Sequence, residues 1–369
     1  MKYLFVNSVY GMRSTGKIVM EQCHKLQETG NQCMAAYGRE AVEDPAVKKI
    51  KIGTPIDYHI HALLTRLLDL HGLCSQTATK KFLKAVEEYS PDVIWLHNLH
   101  GYYINYELLF DWLRNHSDGI RIYWTLHDCW AFTGHCAYFT MAGCSKWKTK
   151  CSKCGQLHTY PVTYGGDHTL RNYEKKKAAF TGIGNMTLVT PSEWLAGLVK
   201  ESYLAEYPVK VIHNTVDTKI FRPTKSNFRE KHNLNGKYVV LGVAVGWEQT
   251  KGFQDMKKLR EVLNKQYTIV LVGTTKQQIE KLPRGMIGIE RTKNQSELAA
   301  IYTAADVFVN PTHQDNYPTV NLEAAACGTP AVTYDVGGSP ESVRPENIIP
   351  EGNIKILAKR IKEICEQRR

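Results

Sequence analysis

Short runs of β-branched and aromatic residues alternate along this chain with longer stretches that have helical periodicity. Turn residues bound the runs, and this alternation is typical of parallel sheets covered by helices. The pattern therefore predicts an α/β fold with two doubly wound sheets and a boundary near residues 190–220. The predicted strands are residues 2–8, 92–97, 120–127 and 186–190 in the first half, and 209–213, 238–245, 267–273, 305–310 and 330–334 in the second.

The length of the chain also favours two domains. It has 369 residues, whereas single hydrophobic cores stop growing at roughly 250–300 residues. We take residues 1–190 as the first domain, 191–350 as the second and 351–369 as a C-terminal amphipathic helix. The apolar residues that recur at helical spacing in this last segment are Ile354, Leu357, Ile361, Ile364 and Cys365.

Composition restricts the class of protein more than it identifies a partner. With 43% hydrophobic and 22% charged residues, the chain is close to the globular average. The apolar stretch near Met1 is too short for a signal peptide and no apolar run reaches about 18 residues, which predicts a cytoplasmic protein. The net charge of +11 is compatible with binding to nucleic acid, to anionic lipid or to a phosphorylated substrate. It is equally compatible with a basic surface that is simply solvated, and the run Lys175 to Lys177 would then be part of that surface.

The most informative segment is residues 306–341, DVFVNPTHQDNYPTVNLEAAACGTPAVTYDVGGSPE. A strand ends near Asn310 and a loop follows it. Pro318 suits the first turn of a helix, and Gly328 suits its end. The segment therefore predicts a strand, a loop and a helix in succession.

The start of that helix is a predicted anion site. The backbone N–H groups at Thr319 and Val320, together with the positive end of the helix dipole, would accept a diphosphate. Asp315 lies in the loop before the helix and Glu323 lies about one and a half turns inside it. The two carboxylates could then hold hydroxyl groups on opposite sides of the phosphate, one on a sugar and one on a ribose.

This segment resembles the donor site of the GT-B family of retaining glycosyltransferases, in which Glu-x7-Glu is followed by an Ala-rich helix and a Gly-Gly turn. Asp315 stands where the family usually has its first Glu. The resemblance implies an α/β GT-B fold, with two Rossmann-like domains facing each other across a cleft, and a UDP- or GDP-sugar donor. Segments that resemble the family in the same order are TPSEWLA at 190–196, VIHNTVDTKIF at 211–221, KGF at 251–253 and LVG at 271–273.

The resemblance also assigns roles to residues that follow other strands of the second half. Lys251 matches the lysine of the Gly-Arg-x4-Lys-Gly motif and is the expected stabiliser of the departing diphosphate. Trp247 replaces the arginine of that motif, and an indole cannot form charge-assisted hydrogen bonds to phosphate. Glycines after strands are also common in ordinary turns. The donor-binding residues expected here are Gly246, Gly273, Thr274 and Arg291.

The turn after the first strand has two interpretations. Residues 10–18 contain Gly-x4-Gly-Lys, the beginning of a P-loop, but Ile18 stands where a P-loop needs Ser or Thr to hold magnesium. In the GT-B resemblance the same turn lies near the donor phosphates and the acceptor, and Gly16 allows the backbone to approach closely. We favour this interpretation over an NTPase.

His127 and Asp128 form a polar pair at the end of a predicted strand, where ligands bind in open α/β sheets. The resemblance implies that His127 lies close to the donor sugar. Asp128 could orient its imidazole or contact the acceptor. His97 and His100 follow the preceding strand and are weaker candidates of the same kind.

Four cysteines, at positions 136, 144, 151 and 154, have the spacing C-x7-C-x6-C-x2-C. A closed tetrahedral zinc site formed by Cys136, Cys144, Cys151 and Cys154 is one interpretation, and four reduced structural thiols are the other. Disulfides are disfavoured in a cytosolic chain. The stretch HDCWAFTGHC and its cysteine-rich sequel resemble a subgroup of transferases that make bacterial capsules and exopolysaccharides.

The reaction implied by the resemblance is retaining transfer of a hexose to a glycan or lipid-linked glycan. The chain contains no Asp-x-Asp, so no catalytic metal is expected, and positive charge makes peripheral contact with the inner membrane face compatible with this function. The alternatives are a nucleotide-sugar epimerase or a phosphorylase on the same fold. A basic, zinc-containing nucleic-acid-binding protein is the non-enzymatic alternative, and the donor motifs argue against it.

Overall fold

A computed structural model describes residues 1–368 of the chain. The chain divides into two compact units, one from Met1 to His213 and one from Asn214 to the C-terminal end. The boundary falls within residues 190–220, but later than the predicted start of the second domain at residue 191. Residues 191–213 belong to the first unit because the strand Val209–Val211 pairs in parallel with Met186–Thr190, which corrects the placing of the run 209–213 in the second half.

The first unit contains a seven-stranded parallel sheet with the strand order β3-β2-β1-β4-β5-β6-β7. Its strands are β1 (Lys2–Asn7), β2 (Gln32–Tyr37), β3 (Lys48–Lys51), β4 (Val93–Leu96), β5 (Arg121–Thr125), β6 (Met186–Thr190) and β7 (Val209–Val211). Its helices are α1 (Arg13–Glu28), α2 (Pro55–Leu68), α3 (Gln76–Tyr89), α4 (Tyr106–His116), α5 (Thr169–Phe180) and α6 (Glu193–Lys200).

The second unit contains a six-stranded parallel sheet with the order β10-β9-β8-β11-β12-β13. Its strands are β8 (Tyr238–Val243), β9 (Tyr267–Val272), β10 (Met286–Ile289), β11 (Val307–Asn310), β12 (Ala331–Tyr334) and β13 (Ile348–Ile349). Its helices are α7 (Phe228–Lys231), α8 (Phe253–Val262), α9 (Lys276–Glu280), α10 (Gln295–Ala304), α11 (Thr319–Ala326) and α12 (Ile354–Gln367).

Both sheets are buried on both faces. Successive side chains of a strand point to opposite faces, so Val240 of β8 packs in one hydrophobic cluster while Val239 and Leu241 pack in another. Helices must therefore cover each face, and the order of strands is that of a doubly wound fold. The α/β prediction of two such sheets is confirmed. No helix within residues 1–368 is both long enough and apolar enough to cross a bilayer.

Helix α12 is part of the second unit rather than a separate segment. Leu357, Ile361, Ile364 and Cys365 are buried in one core cluster of that unit, and the helix begins after Asn353, whose side chain accepts a hydrogen bond from the backbone N–H of the third following residue. The predicted amphipathic face is therefore present.

Four strands, β2, β3, β10 and β13, are absent from the strands predicted from the sequence. Strand β2 is buried over Cys33, Met34 and two alanines, and it lacks the β-branched residues that mark a strand. Strand β3 reads KKIK and lies at the sheet edge. Strand β13 has only two residues. These strands form through pairing with neighbours rather than through their own propensity.

Candidate active site

The loops after β8 and β11 are joined by backbone contacts. The carbonyl oxygen of Thr250 accepts hydrogen bonds from the backbone N–H of His313 at 2.8 Å and from the hydroxyl of Thr312 at 3.2 Å. Gly252 follows with φ of +71°, and a Cβ there would lie 2.1 Å from the carbonyl oxygen of Pro311. Only glycine fits this position, so the two loops form one rigid platform.

Lys251 and Asp315 meet on this platform. The Lys251 Nζ lies 2.7 Å from Asp315 Oδ2, and the two side chains are 36% and 19% exposed. The structure thus brings together two residues that sequence reasoning selected separately, 64 positions apart. Because both side chains are partly exposed, both can contact a ligand. Until a ligand binds, they form an ion pair with each other.

The start of α11 lies directly after Asp315 in the chain. Pro318 precedes its first residue, Thr319, and as the N-cap residue it supplies no side-chain hydrogen bond to this end of the helix. The first N–H groups of a helix have no partner inside the helix, and together with the dipole they favour an anion. Thr319 and Val320 are both half-buried. The start of α11 thus follows closely in the chain after the carboxylate that pairs with Lys251, and anion binding at this helix end stays a prediction.

Asparagines and a glycine fix the position of α11. Asn321 accepts a hydrogen bond from Asn310 at 3.0 Å and donates one to Ser342 at 2.8 Å. A Cβ on Gly337 would lie 2.1 Å from the carbonyl oxygen of Asp315. The Gly-Gly turn of the sequence motif therefore has a packing role, because it lets the loop that carries Asp315 lie against the loop after β12.

Glu323 lies on α11 and is half-buried. Its Oε2 accepts a hydrogen bond from the hydroxyl of Tyr302, on α10, at 3.0 Å. Burial, followed by the charge of Glu323, raises the pKa of Tyr302 well above its ordinary value. Tyr302 therefore remains a donor, and it orients the carboxylate that the sequence assigned to the donor ribose.

The remaining donor-binding candidates lie after β8, β9 and β10. Gly246 has φ of +83° with open space around it, whereas a Cβ on Gly273 would lie 1.7 Å from the carbonyl oxygen of Ala244. Gly273 is therefore required for packing of two loops. Thr274 is buried, and its hydroxyl would lie 3.0 Å from a Cβ on Gly288, so its side chain faces the protein. Arg291 is exposed.

Trp247 is a core residue. It is buried, and its Nε1–H donates a hydrogen bond to the carbonyl oxygen of Val272 at 2.9 Å. A Cβ on Gly242 would lie 2.8 Å from its ring, so the strand leaves room for the indole. The arginine of the family motif is replaced by a hydrophobic contact, and Lys251 is the cation of the motif that this chain retains.

Sequence reasoning missed His313, which joins two elements near the platform. Its Nε2 lies 2.8 Å from Asp255 Oδ2 on α8, and its Nδ1 lies 2.5 Å from Glu351 Oε1 before α12. Tyr334 also donates a hydrogen bond to Asp255. Because the backbone N–H of His313 bonds to Thr250, this histidine fixes the loop next to Lys251.

In the first unit, His127 and Asp128 follow β5 but do not pair with each other. The His127 Nε2 lies 3.0 Å from His97 Nδ1. Asp128 Oδ2 instead lies 2.8 Å from His100 Nε2, and His100 Nδ1 lies 2.9 Å from the hydroxyl of Tyr160. The expectation that Asp128 orients His127 is wrong, because the Asp128 carboxylate is hydrogen-bonded to the imidazole of His100 instead.

Burial sets the charge states of this histidine group. It lowers the pKa of His127 to about 4 and that of His97 well below its ordinary value. Burial acts to raise the pKa of Asp128, but the charge of His100 and hydrogen bonds lower it overall. At neutral pH the site therefore has two neutral imidazoles beside an ionised carboxylate. Tyr160, which completes the set, had no signal in the sequence.

The turn that carries Gly16 is not a P-loop. Helix α1 begins at Arg13, so Gly16 and Lys17 lie inside the helix and not in a phosphate-binding loop. The carbonyl oxygen of Gly16 accepts a hydrogen bond from Gly11 N–H at 2.8 Å, and a Cβ on Gly16 would lie 3.0 Å from Val9. The glycine allows close packing of the turn on its own helix.

The four cysteines of the predicted zinc site line one cavity of about 370 Å³. Burial raises the pKa of Cys136 to about 12 and that of Cys151 to about 11. Backbone N–H of Gln156 donates to Cys154 Sγ at 3.4 Å. Within residues 1–368, however, no three Cys, His, Asp or Glu side chains converge in a geometry that could hold a metal ion.

Lys176 corrects the expectation of a solvated basic run. It is buried, and its Nζ donates hydrogen bonds to the carbonyl oxygens of Trp130 at 2.8 Å and Thr133 at 3.1 Å. The ammonium also lies 3.7 Å from the centre of the Trp130 ring. Burial lowers its pKa to about 7. Lys176 thus fixes the loop that follows Asp128.

Comparison with known proteins agrees with this geometry. Residues 238–367, which contain Lys251, Asp315 and α11, match the family described as group 1 glycosyl transferases. Over these residues the chain is therefore similar to group 1 glycosyl transferases. The chain is 27% identical over 251 residues to the putative colanic acid biosynthesis glycosyl transferase WcaC of Escherichia coli K12, covering 66% of this chain and 59% of that relative.

Solved glycosyltransferases share the fold of both units. Sucrose-phosphate synthase of Thermosynechococcus elongatus superposes with a TM-score of 0.70 at 15% identity, covering 99% of this chain and 90% of that one. Anabaena HepE in complex with UDP-glucose superposes with a TM-score of 0.64 at 15% identity, covering 100% and 90%. At these identities the likeness establishes the GT-B fold.

Proposed function

We propose that this protein is a retaining glycosyltransferase that moves a sugar from a nucleoside diphosphate sugar to a glycan or lipid-linked glycan during polysaccharide biosynthesis. The observation that carries the proposal is the Lys251–Asp315 pair in the loops next to the start of α11, where the N-cap residue Pro318 supplies no side-chain cap. A cation and a helix N-terminus together suit a diphosphate, and a carboxylate next to them suits a sugar hydroxyl.

In the proposed reaction, the diphosphate leaves toward Lys251 and the N–H groups of Thr319 and Val320. The acceptor oxygen forms a bond to the anomeric carbon on the face from which the diphosphate departs, and its proton passes to the leaving phosphate. Preorganised cations and amides stabilise the charge that develops on that phosphate. Asp315 and Glu323 would hold hydroxyl groups of the sugar and the ribose.

The first unit contains further candidate residues for contact with substrate. His127 is kept neutral by burial, so it can donate or accept a hydrogen bond to a sugar without adding charge. Asp128, held by His100 and by the backbone N–H of Trp130, is ionised and could accept a hydrogen bond from an acceptor hydroxyl. His127 and Asp128 therefore remain our candidates for contact with substrate. Their hydrogen-bond partners within the protein differ from those expected.

We propose that transfer needs no catalytic divalent metal. Lys251 and the start of α11 would neutralise the diphosphate, and the chain has no Asp-x-Asp. Activity should persist in the presence of a chelator of magnesium and manganese. Reversible loss of activity on chelation would contradict this part of the proposal.

A panel of ligands tests the donor class. UDP, GDP, ADP and their glucose conjugates are added to the purified protein, and the melting temperature is followed. The UDP-glucose complex of HepE makes uracil our expected base. Stabilisation by a nucleoside diphosphate but not by the nucleoside supports the proposal, and no stabilisation by any member contradicts it. Turnover of the donor without acceptor would instead indicate an epimerase.

The zinc site stays a proposal of its own. The cavity shared by the four cysteines and the N–H contact to Cys154 support it, and convergence of the ligands would require the loop to close. Elemental analysis of protein purified without chelators, compared with a Cys151→Ser and Cys154→Ser variant, tests it. One zinc per chain that the variant loses is the expected result, and metal-free wild-type protein would defeat it.

A further inference from the structure

Helix α2 carries apolar residues on two opposite faces. Ala62 and Thr65 are buried against the first unit. The other face is turned away from this core, and spacings of four, three and four residues place its side chains within about 60° of one another around the helix. The exposed side chains of that face, with their relative exposures, are Ile56 (70%), Ile60 (51%), Leu63 (54%) and Leu67 (52%).

Neighbouring residues extend this exposed surface. The backbone N–H of Tyr164 donates a hydrogen bond to the carbonyl oxygen of Arg66 at 2.7 Å, which places the 70% exposed Tyr164 at the end of α2. Leu68 is also exposed there. We call this surface the α2 face, defined as Ile56, Ile60, Leu63, Leu67, Leu68 and Tyr164.

Such a surface needs a covering partner. A helix with a second apolar face, opposite the one that it buries in its own core, exposes apolar area to water, and this exposure is unfavourable. Contiguous apolar patches on a protein surface mark sites of contact with proteins or membranes. The α2 face is therefore the part of the first unit that an apolar environment would stabilise most.

The charges around the α2 face select the partner. The Asp57 carboxylate accepts hydrogen bonds from the backbone N–H and hydroxyl of Thr54, both at 2.8 Å, and Asp69 is buried. The helix thus presents no unengaged carboxylate to solvent. The exposed side chains that can carry charge on or directly before it are Lys51, His59 and Arg66, and these are positive or can become so.

We propose that the α2 face docks on an anionic lipid surface, with α2 lying in the plane of the headgroups. An interfacial helix combines an apolar face with basic flanks, a tyrosine is favoured where one end is apolar and the other wet, and Arg66 can extend its guanidinium to the phosphates. A second copy of the chain is disfavoured as partner because a two-fold contact would juxtapose two sets of like charges. The proposal does not depend on the transfer reaction.

Co-sedimentation of the full chain with vesicles tests the proposal. Vesicles of phosphatidylglycerol with phosphatidylcholine are compared with vesicles of phosphatidylcholine alone, and binding is expected only to the former. The variant Ile60→Ser, Leu63→Ser, Leu67→Ser should bind at least about tenfold more weakly, because the apolar contribution to membrane binding scales with buried area. Arg66→Gln should bind more weakly and with a smaller dependence on salt.

The matched control is Val262→Ser with Ile356→Ser, two side chains of similar exposure (43% and 42%) on α8 and α12. This control should bind vesicles as the wild type does. Unchanged circular dichroism and an unchanged response to UDP establish that each variant is folded. Absence of wild-type binding, or equal binding by the triple variant, overturns the proposal. So does a wild-type dimer, seen by light scattering, that the triple variant dissociates.

Discussion

At the scale of single residues, the ion pair between Lys251 and Asp315 determines what a ligand must do. Lys251 is held by a carboxylate 2.7 Å away, and the energy of that contact is modest because both groups are partly exposed. A diphosphate offers a stronger, doubly charged partner. Ligand binding can therefore separate Lys251 from Asp315 at a small cost in free energy. Substitutions of the two residues should then have different effects on ligand binding and on transfer.

Lys251→Met should lower the transfer rate roughly 100-fold to 1,000-fold, since it removes one preorganised stabiliser of the leaving group. Lys359→Met, which removes an exposed lysine on α12, is the control and should leave the rate unchanged. Initial rates with the donor identified by the ligand panel measure both. A Lys251→Met enzyme with the wild-type rate would remove Lys251 from the proposed mechanism.

Asp315→Asn should affect binding and transfer in opposite directions. The variant releases Lys251, so UDP alone should bind more tightly, while loss of the sugar contact should slow transfer. Titration calorimetry with UDP and initial rates give the two readouts. Weaker binding of UDP by this variant would indicate that the carboxylate positions Lys251 instead of competing for it.

Lys176 makes a prediction about pH. Its pKa is lowered from 10.5 to about 7 by burial, so the unfolded chain binds more protons than the folded one between these values. The free energy of unfolding should therefore rise with pH across this window, by at most about 1.4 kcal/mol per pH unit from this group. This gain in stability is lost again as the pH falls toward 7. Denaturant titrations of wild type and Lys176→Met should differ in this slope, and parallel curves would contradict the assignment.

At the scale of elements, the platform depends on close backbone approach. Gly252→Ala combines an unfavourable φ of +71° with a contact of 2.1 Å to Pro311. Gly236→Ala has a similar φ of +77° but nothing within 4 Å, so it isolates the conformational cost. We expect Gly252→Ala to lower the melting temperature more than Gly236→Ala and to weaken UDP binding, which the control should keep. Equal effects of the two variants would show that the loops can separate freely.

The elements also show which parts of the fold were predictable. Strands β8, β9 and β11 carry continuous Val, Ile and Leu because both faces of a parallel sheet are buried, and they were found. Strand β3 at the sheet edge carries lysines, so its sequence does not identify it. Helix α12 was recognisable because one face is apolar at helical spacing, although its membership of the second core was not.

Site residues were predictable where function and local structure share one segment. Asp315, Thr319 and Glu323 lie within one strand–loop–helix unit. The contacts of Asp128 with His100, and of His100 with Tyr160, were not predictable, because His100 and Tyr160 lie 28 and 32 residues from Asp128 on either side in the chain. Only folding brings them together. The packing role of Trp247 was not predictable either, since its contacts with Gly242 and Val272 come from other parts of the sheet.

At the scale of the whole molecule, the candidate residues for binding the sugar donor are distributed unequally between the two units. All except Gly16 lie in the second unit, and the histidine group lies in the first. UDP should therefore slow amide hydrogen exchange most in the loops after β8, β9 and β11 of the second unit. Mass spectrometry of exchange in the full chain measures this. Protection confined to residues 1–213 would contradict the assignment of the donor site.

The mutual neutralisation of Lys251 and Asp315 has a consequence for selectivity in the cell. A lysine already engaged by a carboxylate is a poor trap for inorganic phosphate, which is abundant and brings no sugar to occupy the displaced Asp315. A nucleotide sugar offers new partners to both members at once. The protein then discriminates against inorganic phosphate because Lys251 and Asp315 already contact each other before any ligand is present.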